Sequence, residues 1–434
     1  MTDSATPSMH DPIYRKVGFR LLPLLFSCYI FAYIDRVNVG FAKLAMHEVP
    51  WFSDSVFSIG AGIFFVGYFL FEVPGNVILH KTGARFWISR IMISWGLVSI
   101  LLATSHNAFS FYLFRLLLGI AEAGFFPGII LYLTYWYPRE YRARVVALFM
   151  TAIAMAGVVG SPISGWILHS THGWLDLQSW QWLFIMEGVP TVVLGLAVPF
   201  LLPDGPSRAL WLSREERSYV ISKLDAEQQR KLDEGEHAFS FKDTFRSWRV
   251  WAYAFLCFLI GLGLYGVSFW LPQIVEDSIS QDSMNVGWYS AAPWVFAAIG
   301  MILVGRHSDR TGERRIHLTL CLFFAAIAFA LGAMPGIPGL VRLGMISIAI
   351  TGTLSASVCM WSVTTSILSG TAAAAGIAFI NSVGNISGIV CPEAIRWLRE
   401  RYGSNSSLLF LAVALGLAAA VSWASVKSSS NNNS

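Results

Sequence analysis

Apolar runs of about 20 residues recur along the whole chain, separated by short polar stretches. Apolar and polar residues do not alternate within them, so they read as helices and not as strands of a membrane barrel. The pattern predicts 12 spans, near residues 18–40, 56–79, 86–104, 108–132, 144–168, 182–202, 250–274, 286–305, 316–334, 340–362, 370–395 and 406–426. One long polar segment, 203–249, falls between the sixth and the seventh. It contains SREERSYVISKLDAEQQRKLDEGE, which predicts an amphipathic helix and a charged linker. The expected organisation is an all-α membrane protein with two six-helix bundles. The bundles cover 1–202 and 250–427, the linker 203–249 lies on the cytoplasmic face, and 428–434 is a disordered tail.

Composition agrees with that pattern. The 434 residues are 55% hydrophobic and 13% charged, where soluble domains carry roughly a quarter charged residues. The net charge of +4 comes from basic residues spread over short loops, which excludes a nucleic-acid surface. Cys28, Cys257, Cys321, Cys359 and Cys391 lie within or at the end of apolar spans and read as small buried residues. The N-terminus has no cleavage pattern, so the first span is expected to be retained. With the N-terminus inside, cytoplasmic segments hold about 23 of the 30 Lys and Arg residues, so both termini are expected in the cytoplasm. Arg396, Arg399 and Arg401, at the outer end of the eleventh span, run against the bias.

Four charges stand inside the spans. Asp35 and Arg36 are adjacent in the outward half of the first span. Neighbouring helical residues point about 100° apart, so each needs its own partner on another helix or in a water-filled cavity. Arg115 and Glu122 share one face of the fourth span, but seven residues rise about 10 Å, too far for an easy direct pair. Two readings stand. In one, these are structural charges that fix helix packing, with Arg115 reaching the membrane surface. In the other, Arg36 grips an anion in a central cavity while Asp35 and Glu122 carry protons. Tyr33 and Tyr68 belong either to an interfacial aromatic belt or to that cavity. Asn381, in mid-span, needs a hydrogen-bond partner on a substrate or on a neighbouring helix. Glu72 and Glu187, near span ends, read as packing or gate residues. His169 and His172 have helix-face spacing but no third ligand. There is no H-E-x-x-H, no P-loop and no G-x-S-x-G, so neither an enzyme nor a cofactor is expected.

The halves echo each other. GNVILHKTGAR (75–85) follows the second span and GRHSDRTGERR (305–315) follows the eighth. Such a duplication marks parallel repeats of the kind found in transporters. The second loop resembles the G-x-x-x-D-R-x-G-x-R loop of the major facilitator superfamily, and the first is a copy with His80 in place of the Asp. YIDRVNVGFA (33–42), GYFLFEVPGN (67–76), FRLLLGIAEAGFFPGIILYLTYWYP (114–138) and SGTAAAAGIAFINSVGNISG (369–388) are similar to the anion:cation symporter family within it. The bacterial tartrate-transporter branch is most alike. The chain departs from that branch at CPEAIRWLRERYG (391–403), where a Gly-Pro-Tyr start and a less basic end are usual.

The resemblance implies a monomeric proton symporter of the bacterial inner membrane that imports a small organic anion by alternating access. It implies proton coupling through Asp35 and Glu122, with Arg115 paired to Glu122. It implies substrate contacts from Arg36, Tyr33, Tyr68, Trp361 and Asn381. Tartrate or a related hydroxy-dicarboxylate is the expected substrate, with a sugar acid or an aromatic acid as the alternative. Rivals of another class are a facilitative anion channel, which needs no titrating carboxylate, and a transporter-like receptor.

Overall fold

A computed structural model describes residues 12–233, 247–367 and 371–425; the predicted tail 428–434 and part of the predicted linker lie outside them. The first half contains α1 (Pro12–Val37), α2 (Val39–Met46), α3 (Asp54–Thr82), α4 (Ala84–Leu102) and α5 (Ala108–Glu122). It continues with α6 (Phe125–Thr134), α7 (Arg139–Met150), α8 (Ala152–Ser170) and α9 (Ser179–Leu201). After α10 (Arg214–Asp233) come α11 (Trp248–Ser278), α12 (Ser283–Thr311), α13 (Arg314–Gly332), α14 (Gly339–Ile367), α15 (Thr371–Tyr402) and α16 (Asn405–Ser425). Among the described residues, eleven runs are long and apolar enough to cross a membrane. Helix α15 corresponds to the predicted eleventh span.

Three predicted spans depart from a single straight helix. The first bends at Asn38, two residues after Arg36, where α1 passes into α2 with its helical backbone and hydrogen bonds kept. The fourth breaks between α5 and α6, where Gly124 takes φ +85°, a left-handed conformation that costs glycine little. Glu122 is thereby the last residue of α5. The fifth bends at Thr151, between α7 and α8.

Both copies of the repeated loop hold a glycine at positive φ. Helix α3 ends on Gly83 at φ +86° and α12 on Gly312 at φ +70°, and each glycine N–H caps a carbonyl four residues back, of Leu79 and Ser308. The predicted amphipathic helix is α10. It docks on the first half through Lys16 Nζ to Glu216 at 2.7 Å, with Val220 buried. Just ahead of it, Trp211 stacks on Trp136. The Lys16 ammonium and then the Ser213 backbone N–H hold the Glu216 carboxyl below the usual carboxylate range.

Inside the first half α4 packs on α9 and α3 on α5; inside the second, α13 packs on α14 and α16. The halves meet along α3–α15, α8–α12 and α2–α11. Here "linker side" means the face carrying α10, and "far side" the face carrying the turn between α2 and α3. Far-side contacts across the halves include Ser58 Oγ to Glu393 at 2.6 Å and His169 to Asp282 at 2.9 Å. Helices α8 and α12 approach closely there, since a Cβ on Gly165 would lie 2.6 Å from the Ser283 carbonyl oxygen. The halves are therefore closed against each other on the far side.

Helix α5 lies against α3 because residue 119 is glycine. A Cβ there would run into the Phe64 carbonyl oxygen, which is backbone and cannot swing away. Gly119→Ala is expected to destabilise the fold by about 1–3 kcal/mol, because overpacking of this kind moves backbone. Thermal unfolding in detergent measures it, and an unchanged midpoint would show that α5 yields without cost.

Candidate functional site

The centre of the site is a buried ion pair. Arg36 Nη2 donates to Glu122 Oε1, and both side chains are nearly inaccessible. Arg36 comes from the last turn of α1, and Glu122 closes α5. The guanidinium carbon lies 5.8 Å from the ring centre of Tyr33, 5.5 Å from Phe64 and 5.4 Å from Tyr68, so three aromatic faces surround the cation. Arg36 Nε and Glu122 Oε2 are buried without a protein hydrogen-bond partner, so donor and acceptor capacity is left at the centre.

Asp35 points elsewhere, into the α1–α4–α9 interface. Its Oδ2 accepts from Trp95 Nε1 at 2.9 Å and Thr191 Oγ1 at 2.7 Å, and its Oδ1 accepts from Ser99 Oγ at 3.0 Å. The carboxyl is 1% exposed and rests on three neutral donors. The adjacent residues therefore serve two separate polar sites.

Arg115 is not where the resemblance implies. Its Nε donates to the Gly60 carbonyl at 3.0 Å and its guanidinium lies 5.2 Å from the Phe64 ring centre. Glu122 is held by Arg36 instead. The reason is the separation of Arg115 and Glu122 by two turns of one helix, while α1 delivers Arg36 at the depth of Glu122. Arg115 is fully buried, which removes the alternative of a side chain reaching the membrane surface.

Tyr33 and Tyr68 are also buried, at 1% and 3% exposure, and form no lipid-facing belt. Tyr33 Oη hydrogen-bonds Ser268 Oγ of α11 at 2.9 Å and bridges the halves. It lines a narrow crevice with Asn38, Ser161, Ser164, Ser290 and Trp294. From the second half, Asn381 Nδ2 donates to Glu72 Oε1 at 2.7 Å. Trp361 is half-buried on α14 and packs on the core. Arg36, Glu122, Tyr33 and Tyr68 are thus gathered at the centre, Asn381 meets the first half through Glu72, and Asp35 stands apart.

Sequence reasoning missed several partners. Trp95, Ser99 and Thr191 look like ordinary residues of apolar spans. Tyr265 of α11 packs edge-on to Phe65 of α3 with ring centres 4.6 Å apart, and its hydroxyl donates to Asn385 Oδ1 at 3.2 Å. Glu72 is a bridge between the halves and not a span-end residue. Its position four residues after Tyr68 was the available signal, because that spacing shares a helix face. Glu187 is buried and accepts from Ser164 Oγ at 2.6 Å. Among the described residues no group of His, Cys, Asp and Glu could hold a metal ion.

Residues 25–392 match the Major Facilitator Superfamily. The chain is 46% identical over 418 residues to a protein of Agrobacterium vitis named "Putative tartrate transporter", covering 96% of this chain and 91% of that one. It is 36% identical to the inner membrane transport protein RhmT of Escherichia coli K12, covering 88% and 87%. Among solved structures it resembles the partially occluded, inward-open xylose transporter XylE of E. coli, with a TM-score of 0.75 and 15% identity over 95% and 98% of the two chains. A bacterial homologue of the human lysosomal transporter Spinster gives a TM-score of 0.71 at 17% identity, covering 96% and 97%.

Proposed function

Because this chain belongs to the major facilitator superfamily, a family of membrane transporters and not enzymes, we propose that it is a proton-coupled symporter for a small organic anion. The observation that carries the reading is the Arg36–Glu122 pair, buried within a ring of aromatic faces of the first half, with Tyr265 of the second half against Arg36. A lone buried arginine is an anion site, and a carboxylate already bound to it makes the site switchable. When Glu122 takes a proton, Arg36 is free to hold a substrate carboxylate in its place. One proton thus enters with the carboxylate that replaces Glu122, and the charge facing Arg36 is the same in the empty and the loaded site. Asp35, caged by Trp95, Ser99 and Thr191, is the second proton carrier. Tyr33, Tyr68, Trp361 and Asn381 complete the substrate contacts, and Arg115 supports α5 against α3.

The relatives with tartrate in their names favour a hydroxy-dicarboxylate. Following the distribution of basic residues, the linker side is cytoplasmic, the far side opens to the periplasm, and the protein lies in the bacterial inner membrane. Import then proceeds by alternating access, with the far-side contacts of Ser58 and His169 broken while the site loads.

The test is uptake of labelled tartrate into proteoliposomes. At fixed internal pH, uptake should rise as external pH falls, because protons bind together with substrate outside and leave inside. A protonophore should remove the stimulation. Uptake that ignores both manipulations would point to a facilitative path and sink the symport reading.

A further inference from the structure

The coupling scheme above gives no part to Glu72. This carboxylate is 3% exposed, in the interior of α3. It lies one turn beyond Tyr68, whose ring faces the Arg36 guanidinium. Its two oxygens accept from adjacent residues of the other half, Asn381 Nδ2 at 2.7 Å and Ser382 Oγ at 3.0 Å. Both donors are only half-buried on α15, so they border accessible space while Glu72 does not.

An ionised carboxylate accepts hydrogen bonds and cannot donate them; an amide nitrogen donates only; a hydroxyl does both. One strong acceptor on the first half therefore faces two donors on the second. A substrate hydroxyl is the group that satisfies both sides at once. It donates to Glu72 and accepts from Asn381 or Ser382. A methylene in the same place would separate the carboxylate from its donors and leave buried polar groups unpaired. With no such group bound, the constellation closes on itself.

We propose that Glu72, Asn381 and Ser382 form the hydroxyl-reading subsite of the carrier, and that Glu72 makes it demand a hydroxylated acid. This rests on the organic-anion reading above and narrows it. Sites built to pair a hydroxyl reject its deoxy analogue far more strongly than an apolar pocket rejects one methylene. The carboxyl end of the substrate goes to Arg36, and the hydroxylated carbon goes to the seam between α3 and α15.

Succinate, malate and tartrate share one chain and two carboxylates and differ only in carrying none, one or two hydroxyls. Their affinities for the purified full-length protein can be read by tryptophan fluorescence, with gluconate against hexanoate as a monocarboxylate pair. The wild type should prefer the hydroxylated member of a pair by about 100-fold or more. Glu72→Gln should compress that ratio to about tenfold or less, because a glutamine offers one acceptor oxygen to two donors. Ser382→Ala, a small change on a half-buried residue, should compress it in part and guards against poor folding of the first variant. A residue that only supports the fold would lower all affinities together and leave the ratio in place. Equal affinities in the wild type, or an unchanged ratio in both variants, would overturn the subsite. Binding of none of the five acids is a different result, and it would overturn the organic-anion reading itself.

Discussion

Asp35→Asn is expected to abolish uptake driven by a pH gradient while exchange of substrate across the membrane suffers much less. The substitution keeps size and shape in a packed interface. Its cage tolerates an amide. With Oδ1 placed where Trp95 and Thr191 donate, the new NH2 faces Ser99, whose hydroxyl turns round and accepts. What the variant lacks is a proton to release. Net uptake needs the empty carrier to return without its proton load, whereas exchange only shuttles the loaded form. Proteoliposomes measured once with an inward proton gradient and once preloaded for counterflow separate the two. Gradient-driven uptake at the wild-type rate would remove Asp35 from the coupling scheme. Equal loss in both assays would make it a packing residue.

The second large effect concerns Arg36. Arg36→Ala is expected to unfold the protein more readily by about 3–5 kcal/mol, because it leaves Glu122 buried with its charge uncompensated. Adding Glu122→Gln to that variant should recover most of the lost stability, since a neutral amide needs no counter-ion. Transport and substrate binding should stay absent in the double variant, because the cation that holds the carboxylate is still missing. A purely structural pair predicts the opposite: removing both charges would restore stability and binding together. Thermal midpoints in detergent and counterflow in proteoliposomes distinguish the two outcomes. Arg36→Lys is a useful companion. It keeps the charge but replaces a planar fork with a point charge, so it should retain the fold better than it retains affinity.

Much of this was legible in the sequence, and the failures have physical causes. The helical spans follow from hydropathy, and the loop that recurs after the second and eighth spans follows from its repeated residues. Asp35, Arg36, Arg115 and Glu122 stood out because charges in apolar spans are costly. Their divergence at 35 and 36 followed from helical geometry alone. Which cation meets Glu122 did not, because that depends on the relative depth of α1 and α5, which hydropathy leaves loose by several residues. The cage around Asp35 was invisible for another reason. Tryptophan, serine and threonine are common in spans, and only their convergence from α4 and α9 makes them a site. Glu72 carried a visible charge but looked like a span-end residue; its partners are more than 300 positions away in the chain.

The break in the fourth span bears on the proposed change of partner at Arg36. Glu122 is the last residue of α5, so the guanidinium it holds lies at the carbonyl end of that helix. Aligned peptide dipoles leave partial negative charge at such ends, worth about 0.3–1 kcal/mol each to a nearby cation and more where water is excluded. This charge belongs to the backbone and does not titrate. In the proposed scheme, protonation of Glu122 removes the full counter-ion of Arg36 but leaves a field that still favours the cation until an anion arrives. A continuous fourth helix would spend its dipole at the membrane surface. The interruption brings it to the Arg36–Glu122 pair, inside the predicted fourth span.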